Sequence, residues 1–429
     1  MKVDTIDLSK FNQAATILEK IHEHRKRNPT TRSEELYYEL MAKHFREILA
    51  AEDAGKPFIY YSMGIPNEIF EAMGIVAMEY DMAAGAIASV LKAHEEGTDA
   101  ASKLGIKPEI CSAQLLPIGF FSKGWFPRPA ALIYTNLSLC DNVSKNGHLL
   151  GELYDIPTFF VDRPYYWWYD RGVEYMTGEL EDLVYFLEEH TKRKLDYDKL
   201  NEANKLSMEQ VKLIREIHAL GMATPCPMRA RAATQAHWLY WLYAGRQEGI
   251  NYFETFRDEL KELVDQKKGV ATEEKFRLIS LFTPPQHQMK VLDWLENERC
   301  AAIVSEPYYF RWEEWIPDPS KPLESLARKY YHEPYYRWYG KLSESLDMAV
   351  NDALESKANG AVNWFNSKCR MGGAVAKIMK DTLKEKVGIP TLTFDLDMLD
   401  PSSATEKALK EALEEFLAVL ALTPGGNKN

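Results

Sequence analysis

The chain has 429 residues, too many for one ordinary core, so two or three domains are the starting expectation. Its 46% hydrophobic and 27% charged content is that of a soluble globular protein, and a net charge of −12 argues against a nucleic-acid partner. No apolar run approaches the roughly 20 residues that cross a bilayer, and the start "MKVDTIDLSKFNQ" lacks the basic residues and apolar core of a signal peptide. A cytoplasmic chain with no membrane partner is expected.

In chain order, residues 1–54 read as a helical N-terminal segment: "LSKFNQAATILEKIHEHRKR", a turn at "NPTT", then "SEELYYELMAKHFREILAAEDAG", with Ser33 and Glu35 placed to start the second helix. From 55 to 165 short apolar runs alternate with amphipathic stretches: "FIYYSM" (58–63), "GIVAMEY" (74–80), "ALIYTNL" (131–137) and "TFFVDR" (158–163). Strands apolar on both faces and separated by helix-length segments imply a parallel sheet covered on both sides. Residues 166–270 are mostly helical by pattern. The strand–helix rhythm resumes over 271–429 with "RLISLFTPP" (277–285), "AAIVSEPYY" (301–309), "GAVNWFNS" (360–367) and "TLTFDLDML" (391–399).

The two sets of four runs correspond in order: "FIYYSMGIP" to "RLISLFTPP", "GIVAMEYD" to "AAIVSEPYY", "ALIYTNLSLC" to "GAVNWFNSKC", and "IPTFFVDRP" to "IPTLTFDLD". The expected fold is therefore α/β, with two flavodoxin-like (Rossmann-like) lobes, each holding a parallel four-stranded sheet. In open α/β sheets, ligands gather at the carboxyl ends of strands. Cys140 and Cys369 fall on the loops after the third run of each lobe.

Five widely spread cysteines are no disulfide framework; in a reducing compartment they are buried small apolar residues or ligands. Cys111, in "KPEICSAQ", joins Cys140 and Cys369 as a loop cysteine, whereas Cys226 and Cys300 read as inert. Three thiolates suit zinc, copper(I) or an iron–sulfur cluster. The tight Cys pairs of a structural zinc site are missing. Three ligands without a close fourth leave one coordination position open.

The stretches "YYSMGIPNEIFEAMGI" (60–75), "PEICS" (108–112), "TNLSLCDN" (135–142), "LYDIPTFFVDRPY" (153–165) and "FNSKCR" (365–370), in this order and strand context, resemble the 2-hydroxyacyl-CoA dehydratase / benzoyl-CoA reductase family. The resemblance runs from about residue 55 over most of the chain. It implies an oxygen-sensitive enzyme subunit holding one 4Fe–4S cluster through Cys111, Cys140 and Cys369, with an open or exogenous fourth position. It further implies a homologous second subunit in a heterodimer, an acyl-CoA substrate and a separate ATP-hydrolysing iron–sulfur activator. The chain agrees in having no G-x₄-G-K-[ST] phosphate loop.

The implied reaction is a radical-type elimination of water from a 2-hydroxyacyl-CoA, with one low-potential electron forming a ketyl radical that expels hydroxide. The alternatives are reduction of an aryl-CoA, or an electron-relay subunit without a substrate site of its own. Proton handling is expected of Ser62, at the end of the first run, of Glu68, at the start of the next helix, and of Glu79, at the end of the second run. "AMEYDM" departs from the family's commoner Y-P-E, leaving Glu79 and Asp81 as rivals for that place. His287 is a further relay candidate. Three aromatic-rich runs, 163–170, 306–315 and 330–340, suit packing, a subunit interface or a dry acyl pocket, with Arg311 or Arg337 near the CoA phosphates.

Overall fold

A computed structural model describes residues 2–136, 140–164 and 169–422. The chain forms two compact units. The first comprises Met1–Val211, Trp238–Phe253 and Glu314–His332; the second comprises Lys212–His237, Glu254–Glu313 and Glu333–Asn429.

Each unit holds one four-stranded parallel sheet. In the first, β1 (Phe58–Tyr61), β2 (Val76–Glu79), β3 (Ala131–Thr135) and β4 (Thr158–Val161) lie in the order β2-β1-β3-β4. In the second, β5 (Phe276–Ser280), β6 (Ala301–Ser305), β7 (Gly360–Asn363) and β8 (Thr391–Thr393) lie in the order β6-β5-β7-β8. The registers repeat as well: Ile59 pairs with Ala131 as Leu278 pairs with Gly360. The two flavodoxin-like lobes read from the sequence are thus present, with the same order in each.

The central strands are apolar on both faces because helices cover both. All of β1 and β3 is buried, whereas Phe160 on the outer strand β4 is 38% exposed. The core of the second unit gathers Leu278, Ile303, Val362 and Trp364, the last stacked on Phe394 with ring centroids 5.0 Å apart.

Every expected strand is found, but the apolar runs overshoot the strand ends. "GIVAMEY" ends one residue inside a helix, since Glu79 caps Tyr80–Leu91. "TLTFDLDML" supplies only three strand residues before the chain turns. The cause is common to all: strand-end side chains on a covered sheet stay buried in the caps that follow. The N-terminal segment forms helices Ser9–Arg27 and Arg32–Asp53; the second is capped by Thr31, whose hydroxyl accepts the Glu34 amide at 3.1 Å, with Ser33 and Glu35 in its first turn. In chain order, helices Tyr169–Thr191, Tyr197–Gly221, Ala230–Tyr243 and Gln247–Asp265 come after β4 and before β5. None of the described helices is long and apolar enough to cross a membrane.

Candidate functional site

The carboxyl edge of the first sheet is where the sequence's polar candidates collect. Ser62 directly follows β1 and is fully buried. Its amide donates to the Ile133 carbonyl at 2.9 Å and its hydroxyl accepts the Thr135 amide at 3.2 Å, so it ties the ends of β1 and β3. Glu79 ends β2 and caps the next helix, its carboxylate accepting the Met82 amide at 2.5 Å. Its other oxygen has no hydrogen-bond partner.

Asp81 lies two residues on and is also buried. Burial pushes Asp81 up to about 7, against the pull of hydrogen bonds from Glu79 and Gln114. Burial and the neighbouring Asp81 charge hold Glu79 well above the usual carboxylate range. Two buried carboxyls with no cation between them cannot both ionise cheaply, so the pair keeps a proton through neutral pH.

The same network reaches the cysteine-bearing helices of this unit. Cys111 immediately precedes helix Ser112–Ser122 and Cys140 immediately precedes Asp141–Tyr154. Asn146, on the second helix, donates to the Gln114 carbonyl at 2.6 Å and to its side-chain oxygen at 2.8 Å on the first. Gln114 in turn bonds Asp81. Residues 137–139 and the aromatic stretch 165–168 lie outside the described residues.

Glu68 sits in the first turn of Asn67–Met73 and is fully buried. Its carboxylate is engaged by the Lys329 ammonium and the Ser207 hydroxyl. Lys329 lies 5.2 Å from the Tyr240 ring centroid and 5.6 Å from that of Trp315. The Glu68 charge is thus matched inside a dry, aromatic-walled site.

In the second unit, Cys369 caps helix Arg370–Lys386, its sulfur accepting the Gly372 amide at 3.4 Å. Burial raises the Cys369 thiol, and the Gly372 and Met371 amides act the other way. Cys111, Cys140 and Cys369 therefore share one placement: each stands immediately before a helix and is part-buried. The other two cysteines differ. Cys226 is fully buried and its thiol is pushed up to about 12 by burial. Cys300 ends helix Lys290–Arg299 in the left-handed region at φ 57.

His287 bonds the Met398 carbonyl through Nδ1 at 3.3 Å, and burial lowers its pKa. The two arginines proposed for phosphates are already occupied. Arg311 pairs with Asp352 and, at 2.7 Å, with Glu355; Arg337 meets Glu313 and Glu344, each at 3.0 Å.

One residue escaped the sequence reading. Glu306 follows β6 as Glu79 ends β2, is fully buried, and is pushed up to about 8 by burial, with Ser280 and Tyr308 bonds pulling down. The alignment of "GIVAMEYD" with "AAIVSEPYY" puts the two glutamates in the same column. That correspondence was the available signal.

A family model described as 2-hydroxyglutaryl-CoA dehydratase, D-component, matches residues 62–420. The chain is similar to the (R)-phenyllactyl-CoA dehydratase alpha subunit of Clostridium sporogenes, 24% identical over 393 residues, covering 86% of this chain and 93% of that one. It is also similar to the (R)-2-hydroxyisocaproyl-CoA dehydratase alpha subunit of Clostridioides difficile, 22% identical over 399 residues, covering 89% and 94%. A third relative, the (R)-2-hydroxyglutaryl-CoA dehydratase subunit alpha of Acidaminococcus fermentans, is 21% identical over 287 residues, covering 64% and 57%. With the family model matching residues 62–420, most of its length, this chain belongs to the 2-hydroxyacyl-CoA dehydratase family.

Proposed function

We propose that the chain is the iron–sulfur subunit of an oxygen-sensitive dehydratase that eliminates water from a 2-hydroxyacyl-CoA. Its partners are a homologous second subunit and a separate activator that delivers one electron at the cost of ATP. The relatives named as alpha subunits of such enzymes support the subunit role.

The observation that carries the cofactor reading is the common placement of Cys111, Cys140 and Cys369 at helix starts, two of them in equivalent positions of the two sheets. Soft thiol donors held this way fit a 4Fe–4S cluster with one open position. Among the described residues, no three His, Cys, Asp or Glu side chains stand together at metal-binding spacing, so the support is donor chemistry and placement. When bound, the cluster supplies one-electron transfer and an iron that attracts a substrate oxygen.

The chain's own part is proton handling and exclusion of water. The Glu79–Asp81 pair holds a proton at the end of β2, and Ser62, which follows Tyr61, the β1 partner of Glu79, is the candidate hydrogen-bond donor to a substrate oxygen. Glu68 serves as the buried partner of Lys329, holding the first helix after β1 in place.

The test is anaerobic purification of the chain with its partner subunit, then assay with activator, ATP and a strong reductant against 2-hydroxyacyl-CoA and aryl-CoA thioesters. Redox-neutral loss of water is expected; net two-electron reduction of an aryl-CoA would replace this reading. Cys111→Ala, Cys140→Ala and Cys369→Ala should each lose most of the iron, whereas Cys226→Ala and Cys300→Ala keep it. Equal iron loss in all five would reject the ligand set.

A further inference from the structure

The buried acids of this chain fall into two groups. Most are matched by a cation: Glu68 by Lys329, Glu296 by Arg229 at 3.0 Å, Asp352 by Arg311, and Asp397 by Lys368 at 3.3 Å. At the ends of the outer strands β2 and β6 the pattern breaks. Glu79 and Glu306 are both fully buried, and among the described residues neither forms an ion pair with a lysine, arginine or histidine. Each keeps one carboxyl oxygen without a hydrogen-bond partner, Oε1 of Glu79 and Oε2 of Glu306. A polar atom sealed from water with nothing to bond lowers stability. Such a cost, repeated at equivalent places in two sheets, calls for a reason beyond packing.

The surroundings of Glu306 are built of hydroxyls and rings. Tyr308 faces its Oε1 at 3.4 Å, and Tyr309 is the other titratable neighbour. The Tyr309 hydroxyl bonds Thr283 at 2.9 Å, and His237 stacks on the Tyr309 ring at 3.6 Å, buried and held neutral by burial. Tyr308 packs on Trp338 at 5.7 Å, and Tyr335 on Tyr339 at 4.6 Å. Tyr339 is electrostatically linked to both Tyr309 and Cys369. Glu306 therefore belongs to the same strand-end face of the second sheet as Cys369.

We infer that Glu306 is a second proton-donating carboxyl group, the second-lobe counterpart of Glu79, poised at the strand-end face that also carries Cys369. The inference rests on the dehydratase reading above. Over the whole elimination no net oxidation occurs: the bond from C2 to its hydroxyl oxygen breaks, the bond from C3 to one hydrogen breaks, and the C2–C3 double bond forms. Glu306 gives its proton to the departing hydroxide, which leaves as water, and its carboxylate then takes the proton released from C3. The acid is restored, and no co-reactant is left over.

Two variants and two readouts test this. Glu306→Gln preserves shape and neutrality, so the holoenzyme should fold and keep its iron, while turnover falls about 10²–10⁴-fold, the usual weight of a general acid. Glu306→Asp should recover part of the rate with an altered pH profile. Infrared difference spectra of the substrate-free protein should show the carbonyl stretch of a protonated carboxyl group that disappears in Glu306→Gln. Full turnover in Glu306→Gln, or no lost carbonyl band, overturns the assignment. A wild-type holoenzyme that dehydrates no 2-hydroxyacyl-CoA sinks the underlying reading instead; the infrared band, scored without substrate, tells the two failures apart.

Discussion

Ser62 does two jobs that separate experimentally. Its hydroxyl accepts the Thr135 amide, so Ser62→Ala leaves a buried N–H unsatisfied and should cost about 1–3 kcal/mol of stability, read as a lower denaturation midpoint. If it also donates to a substrate oxygen as charge develops, kcat should fall a further ~10²–10³-fold with iron content unchanged. Normal turnover in a merely less stable variant would leave Ser62 as a strand tie alone. Glu306 and Asp81 make a different prediction, about pH. Unfolded, they lose their protons near 4.5 and 3.8; folded, near 8 and 7. The folded chain thus binds more protons throughout the intervening range. Their contribution to stability is complete below the unfolded values and is lost as pH rises through the folded ones. The melting temperature should decline from about pH 5 to about pH 8.5, and Glu306→Gln should flatten the upper part of that decline. A profile that Glu306→Gln leaves unchanged would mean that Glu306 ionises normally. These couplings were invisible in the sequence: "EPYYFRWEEW" reads as an aromatic run, and nothing near Glu68 announces that its cation stands at residue 329.

Among the elements, the helix that starts after Cys111 is set by a close approach. Gly119, inside Ser112–Ser122, lies against Gly97 of helix His94–Lys103, and a Cβ at Gly119 would stand 1.9 Å from the Gly97 carbonyl oxygen. No rotamer relieves a clash with backbone, so Gly119→Ala must separate the two helices. The expected cost is at least about 1–3 kcal/mol, seen as a fall in melting temperature and, because the helix carries Cys111, as reduced iron binding. An unshifted melting temperature would show that the pair packs less tightly than described. Strand positions were legible because central parallel strands, covered on both sides, read as short continuous apolar runs. Their ends were not, because burial continues into the caps: Glu79, which ends β2, and Tyr80, which starts the next helix, are both fully buried. The positions of Cys140 and Cys369 were legible for the opposite reason. A thiol just after an apolar run and just before an amphipathic stretch marks a strand end turning into a helix.

Across the whole molecule, repetition was readable and composition of the units was not. The four paired runs foretold two sheets of the same order, which depends only on local pattern. The units, by contrast, recruit distant segments: Glu314–His332 belongs with the first sheet, and helix Pro322–His332 packs on Tyr169–Thr191. Such joins follow from contacts between residues far apart in sequence, which periodicity does not report. Each unit has its own parallel sheet and its own buried core, so neither fold depends on the proposed cofactor for its central strands. From this a dissociation of function and fold follows. In air, a thiolate-bound cluster with an open position is attacked directly, while the two sheets retain the hydrogen bonds and packing that protect their amides. Activity and iron should therefore decay first, with hydrogen-exchange protection of β1, β3, β5 and β7 preserved over the same period. Loss of strand protection in step with activity would instead make the cofactor part of the structural core, and activity that survives hours in air with iron retained would reject the open position.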